Sequence, residues 1–435
     1  MTRRRRWAAG LAAVLTATAV AAVAHPPVAA AADDLIHGRD GAAFALTPDW
    51  GLESYAEALQ AELGTRRSVT AVLDAANRST TQCNTAQRGA LPEYYDRTDY
   101  PLPAGQILTS SDSFCWDPGD SKVAYWVPQG LTGSSDADDD GLWGDKRFIA
   151  VSWHYDKTKA GTSMDKGVRI SLVDRATGRY RHVLLVQPTR TATPNFTAVP
   201  IHAGGLAWLG HYLYVADTSS GMRVFDMDRV LEVDAGEDAI GRQGGAYYAY
   251  TYQYVVPQVA TYKQATVISE SPCVPQKNAM CFSSLSLDRS TTPDTLVAGE
   301  YRDGRSTDAS IDGGRVVRYP VAADTRKLVL ASGRAVPRDA VTVPKSNVQG
   351  VQTWKDRYYL GRSSAYKHSF MYSGLPNGTA PAKSWAIGGE DLYHEHGAGI
   401  TAGKLWSVTE HAYDDETGAF IDRRAVFAVP LTDIG

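Results

Sequence analysis

The sequence predicts an all-β chain: a β-propeller, with five blades preferred over six or seven, behind an N-terminal helical cap. Three observations carry this. A strand–hairpin unit recurs five times, roughly every 60 residues. Runs such as Leu213-Tyr214-Val215-Ala216 and Lys404-Leu405-Trp406-Ser407-Val408 have strand composition and are bounded by Gly, Asp and Ser. Helix signals are confined to the part before residue 120.

Each unit opens with a small residue and an apolar one, then runs through a strand, a polar hairpin and a second strand. The clearest copy is "GGLAWLGHYLYVADTSSGMRVFDM" within 199–227. Others are "QGVQTWKDRYYLGRSSAYKHSFMYSGL" (349–375), the stretch 283–321 beginning "SSLSLD", and "HGAGITAGKLWSVTEH" opening 396–431. The most elaborate copy runs from "QGLTGSSDADDDGLWGDKRFIAVSWHYD" (129–156) to "GVRISLVDRATGRYRHVLL" (167–185). Radial repetition satisfies such a pattern, because each blade buries its faces against its neighbours. A two-sheet sandwich has no natural place for five versions of one unit.

The chain before the repeats divides in two. Arg3 to Arg6, the apolar run Trp7 to Ala24 and the small residues up to Ala32 form a secretory leader, predicted over 1–32; Pro26-Pro27 and an Ala-rich run speak against a membrane anchor. Residues 33–120 are predicted as the cap and 121–435 as the propeller. In the cap, Ser54-Tyr55-Ala56-Glu57 reads as a capping box, Tyr55, Leu59 and Leu63 recur at helical spacing, and Gly64 fits the stop. A second helix is expected over 68–77.

Export makes disulfides the expected state of the four cysteines, as the local pairs Cys83–Cys115 and Cys273–Cys281. A zinc site is the rival, but the spacing is irregular and no histidine adjoins. The leader holds four of the 44 basic residues and none of the 48 acidic ones, so the remainder carries 40 against 48, a formal charge of −8. With no basic stripe, nucleic acid is an unsuitable partner.

The small–apolar pair should begin each innermost strand, so the residues before it face the axis. These are Gln129, His202, Gln349, the trio His394-Glu395-His396, and Ser283 or Cys281. The stretches "HAGGLAWLGHYLYVADTSSGMRVFD", "QGVQTWKDRYYLGRSS" and "EDLYHEHGAGITAGKLWSVTEH" resemble a family of secreted actinobacterial proteins of propeller type, over most of the chain. That resemblance implies the fold and carries no established reaction. A looser architectural similarity, to streptogramin-lyase and gluconolactonase-type propellers, implies metal and histidines at the channel mouth.

Three candidate sites follow. His394 and His396, two apart on a strand, present their imidazoles to one side, with Glu395 pointing away; His202 across the channel would complete a set for a divalent transition metal, with Glu390 and Glu410 as further carboxylates. Asp136, Asp138 and Asp140 alternate before Gly141 and could gather oxygens around Ca2+, though Arg147 stands where an EF-hand needs its bidentate acid. Tyr248, Tyr250, Tyr252 and Tyr254 would share one strand face and could stack on sugar rings. Against each stands a plain alternative: a wet polar channel, a solvated acidic turn, and tyrosines packed between blades. No nucleophile elbow, zincin helix, Walker loop or dinucleotide fingerprint is present.

Two functions of different class remain. One is a binding module for an extracellular glycan, envelope component or small molecule, using the channel mouth with Gln129 and Gln349 or the tyrosine face. The other is a hydrolase or lyase, either metal-assisted through the histidines or using a neutral histidine as base.

Overall fold

Strands such as Phe148–Tyr155 and Leu206–Leu209 are apolar on successive residues and buried along nearly their whole length. Such strands need cover on both faces, which stacked sheets provide. The computed structural model describes residues 36–435 except 65, 99, 269–272, 304–312, 344, 398, 401–402 and 415; the predicted leader lies outside the described residues.

The fold is all-β and propeller-like. Its core is a succession of antiparallel meanders of four strands. The first sheet holds Trp126–Gly133, Phe148–Tyr155, Val168–Asp174 and Arg179–Pro188. The second holds Leu206–Leu209, Tyr212–Asp217, Gly221–Asp226 and Tyr254–Lys263. The third holds Phe282–Asp288, Thr295–Glu300, Gly314–Pro320 and Asp339–Val343. The fourth holds Val348–Trp354, Arg357–Arg362, Ser369–Gly374 and Ala382–Trp385. The fifth holds Tyr393–Glu395, Lys404–Val408 and Val426–Pro430, and takes Asp112–Phe114 as its outer strand. The first two sheets are also joined at their outer edges, where Val255–Pro257 pairs in parallel with Leu184–Val186.

Apolar clusters fill the spaces between consecutive sheets. Phe148 and Leu172 meet Leu206 and Trp208; Tyr214 and Val224 meet Leu285 and Leu296; Val297 and Val316 meet Val351 and Leu360; Tyr359 and Trp385 meet Leu405 and Phe427. Trp406 and Val426 then return to Leu131 and Trp153 of the first sheet. Every sheet is thus sandwiched, which is why its strands tolerate apolar side chains on both faces.

The helices Glu53–Leu63 and Val69–Asp74 lie against outer strands of the first two sheets, and short strands run along outer edges: His37–Arg39 on Asp339–Val343, and Thr47–Asp49 on Tyr254–Lys263. Ser54 does not cap its helix. Trp50 packs on Tyr212 and Tyr262, Leu52 is buried, and Trp50 accepts the Glu53 amide, so the helix starts before Ser54. The capping box belongs instead to Asn84 and Gln87. Ser68 does cap the second helix, at the Ala71 amide. Both expected disulfides are present, Cys83–Cys115 and Cys273–Cys281.

Candidate functional site

The first strands of the sheets come together so closely that side chains are excluded between them. A Cβ on Gly130 would lie 2.8 Å from the Gly205 backbone, and one on Gly205 would lie 2.1 Å from the Leu285 nitrogen. This accounts for the small residue of the repeated pair: Gly130-Leu131, Gly205-Leu206, Ser284-Leu285 and Gly350-Val351.

In the fifth sheet the position belongs to Asp391-Leu392. The repeat predicts it in the segment after His396, whereas the structure sets Asp391 against the first strands of the other sheets. The Asp391 carboxyl accepts the amides of Leu131 (3.1 Å), Leu206 (3.0 Å) and Leu285 (3.3 Å), from the first strands of three other sheets, and that of Leu392 beside it. Gly350 of the fourth sheet packs on its backbone. Asp391 is fully buried; burial pushes its pKa up and the four N–H donors act in the opposite direction.

With Asp391 in register, the preceding residues are Gln129, Gly204, Ser283, Gln349 and Glu390. Glu390 is buried and hydrogen-bonded to Glu410. Burial first, and the Glu410 charge second, raise its pKa well above the ordinary carboxylate range. A hydrogen bond between two carboxyl groups requires a proton, which the pair shares. Glu410 also accepts from Gln129 Nε2 at 2.7 Å and stands 3.2 Å from His411 Nε2. Ser363 reaches Glu390 at 3.4 Å. Gln349 is half-buried at the same level.

His202 belongs to this end of the strands. Its side chain is exposed to solvent, its ring lies 4.4 Å from that of His154, and the charge acting on it most strongly is that of Glu410. Burial still lowers its pKa. The next residue, Ala203, takes the left-handed φ of 56°, which costs a non-glycine residue about 1 kcal/mol. Ser152 holds it there, donating to the Ala203 carbonyl at 2.8 Å and accepting the Gly130 amide. Strain of this kind, locked by a buried hydroxyl, is how folds aim a side chain at a site.

His394 and His396 do share a face, with rings stacked 5.2 Å apart, while Glu395 turns away to accept the Trp406 indole N–H at 2.9 Å. They lie at the other end of the inner strands, against Trp354 and Ser135. Burial holds both imidazoles neutral, lowering the pKa to about 3 for His394 and about 4 for His396. His202 is therefore not their partner. Among the described residues no group of three or more His, Cys, Asp or Glu is placed to hold a metal ion.

The other two candidates also separate. Asp136 turns inward from a single helical turn, Ser134–Ala137, and accepts from Thr132 Oγ1 at 2.6 Å; burial raises its pKa to about 7. Asp138 and Asp140 stay exposed and bond the amides of Asp140 and Leu142, so no oxygen cage for Ca2+ is formed. The tyrosine face is broken at Tyr250 and Thr251, whose φ values of 50° and 69° turn the chain. Tyr250 and Tyr254 are buried, Tyr248 is half-buried, and the Tyr252 hydroxyl accepts from Arg169 at 3.1 Å.

Sequence reasoning missed Asp391 and ranked Glu390 and Glu410 behind the histidines. The available signal was the pair itself, Asp391-Leu392 following four small–apolar pairs, obscured by the competing "HGAG" four residues on.

No protein-family model matches the chain, and no curated protein matches it. Among solved structures it is similar to a GH43_1 enzyme from Xanthomonas citri, with a TM-score of 0.31, 10% identity, and coverage of 71% of this chain and 88% of that one. A levansucrase variant from B. subtilis gives 0.34 and 9%, over 79% and 88% of the two chains. The tail fibre of Staphylococcus aureus phage P68 gives 0.32 and 10%, over 77% and 55%. With scores this low, the site has to be read from its own residues.

Proposed function

We propose that the chain is exported, that its five sheets are the blades of a five-bladed propeller, and that it binds a hydroxyl-rich ligand at the axial end where the inner strands begin. The ligand class is a sugar residue of an extracellular glycan or a small molecule of similar chemistry. Export agrees with the two disulfides; among the described residues no helix is long and apolar enough to cross a membrane.

The single observation that carries the reading is the chain Gln129–Glu410–Glu390, in which buried Gln129 and Glu390 hold the half-buried Glu410 carboxyl, whose charge acts on solvent-facing His202. It alternates donors and acceptors with little net charge, and hydroxyl groups are recognised by pairing with both. The test is retention of the mature chain on a panel of immobilised neutral and acidic polysaccharides. Gln129→Ala and Glu410→Ala should each weaken retention about tenfold or more. Retention untouched by either change, or absent across the panel, overturns the reading.

One observation favours a second reading. Two carboxyl groups sharing one proton, Glu390 and Glu410, are the arrangement of an acid and a base held ready together, as in a hydrolase or lyase. Turnover of chromogenic glycosides, esters or lactones, abolished by Glu390→Gln while retention persists, would establish it. No turnover of any of them leaves the binding reading alone.

A further inference from the structure

Away from the axis, a cavity of about 150 Å3 opens between the outer strands of the first sheet and the segments 77–78 and 251–253, lined by Asn77, Arg78, Arg169, Arg181, His182 and Tyr252. Its lining holds three arginines and no carboxyl group, with Asn77, Thr251 and Gln253 as neutral donor–acceptor groups.

Trp153 Nε1 donates to Ser171 Oγ at 2.8 Å, so that hydroxyl passes its own proton to His182 Nδ1 at 2.9 Å. His182 Nε2 must then carry the hydrogen that it donates to Asp120 at 3.1 Å. Asp120 also accepts from Arg169 (2.9 Å), Arg78 (3.1 Å) and the Tyr180 hydroxyl (2.6 Å). Its acceptor capacity is filled. It therefore offers nothing to a ligand, and it answers only one of the guanidinium charges.

The rest of the charge is left over. Asp117 stands 3.9 Å from Arg78, 40% exposed at the rim. Among the described residues, Arg181 hydrogen-bonds only neutral groups, the Gln253 side chain and the Ala75 carbonyl. Glu232, the acid within reach of Arg181, is held by Arg67 and Gln253. Arg169 is 3% exposed, its guanidinium between the rings of Trp126 and Trp153 at 4.7 and 4.8 Å, and its buried Nε has no hydrogen-bond partner. Tyr252 accepts from Arg169, which leaves its O–H free to donate. A buried cation with an unanswered N–H, beside a cavity lined by three arginines and no carboxyl group, is an incomplete structure.

We propose that this cavity is a binding site for an oxyanion, either a free tetrahedral ion such as phosphate or sulfate or the carboxylate of an acidic sugar. Arg78 and Arg181 supply the accessible charge, Tyr252 a directed hydroxyl, and Arg169 the fixed field behind them. The cavity shares no lining residue with the axial site.

The test is thermal melting of the mature chain at constant ionic strength, with chloride exchanged for inorganic phosphate, sulfate or glucuronate. At least one should raise Tm saturably, since a ligand bound only by the folded state stabilises it. Arg181→Ala and Arg78→Ala should each weaken the apparent affinity about tenfold or more, whereas Arg190→Ala, on an exposed arginine outside the cavity, should leave it unchanged. A response to phosphate or sulfate assigns the site to the free ion, and a response to glucuronate alone assigns it to an acidic sugar. No saturable shift with any of the three, or a shift that survives the Arg78→Ala/Arg181→Ala double change, overturns the proposal.

Discussion

Asp391 joins the first strands of four sheets through one carboxyl group, a task no apolar residue performs at a waist too narrow for side chains. Removing it strands at least three buried amides, each costing roughly 1–3 kcal/mol. Asp391→Ala should therefore lower the stability to urea by at least ~3 kcal/mol, and Asp391→Asn, which keeps one acceptor oxygen, by less. A loss below about 1 kcal/mol for Ala would show that the amides find other partners. His394 makes a second prediction. Its pKa is lowered from 6.5 to about 3 by burial, so below pH 6.5 the unfolded chain takes up a proton that the folded chain refuses. Stability is full above that value and falls as pH drops toward 3. By pH 5 the loss from this residue is about 2 kcal/mol. Urea midpoints at pH 7.5 and 5 should accordingly draw closer together in His394→Leu than in the unaltered chain. An equal pH dependence in both would rule out a buried neutral imidazole.

Among the elements, the strand Asp112–Phe114 carries the most consequence for its three residues. It pairs with Val426–Pro430, so the first part of the chain completes the last sheet. Cys115, joined to Cys83 across 32 residues, anchors it at the next position. Loop entropy for a ring of that length corresponds to about 3.5 kcal/mol. Cys83→Ser/Cys115→Ser should lower stability by up to that amount, and hydrogen exchange should rise first in 112–114 and 426–430. Uniform exchange across all sheets would mean that the disulfide acts elsewhere. The helix signal at Ser54 misled for a reason at this same scale: Trp50 and Leu52, buried against the second sheet, set the helix start, and packing outweighs a cap contributing about 1 kcal/mol.

At the scale of the whole molecule, the packing of each sheet on the next and of the fifth on the first explains what was legible in advance. Strand composition, repeat spacing and cysteine pairing are local or periodic, so they stood in the sequence: five copies of the unit, both disulfides, and histidines 394 and 396 on one face. The site was only partly legible. Gln129 and Gln349 follow from the repeat as residues before the pair, a position that Gly204, rather than His202, holds in the second sheet. A one-strand register decided the rest. Choosing "HGAG" over Asp391-Leu392 moved His394 and His396 to the wrong end and hid Glu390 and Glu410 behind them. Register in a strand buried on both faces has no alternation of apolar and polar residues to mark it. The metal sets failed on the same ground: whether His202 meets His394, or Asp136 meets Asp138, depends on which end of a strand or which side of a turn each occupies. Periodicity along the chain thus specified the architecture, whereas the Glu390–Glu410 pair and the cluster of arginines around Asp120 join residues from different sheets and segments, whose distances exist only once the sheets have packed.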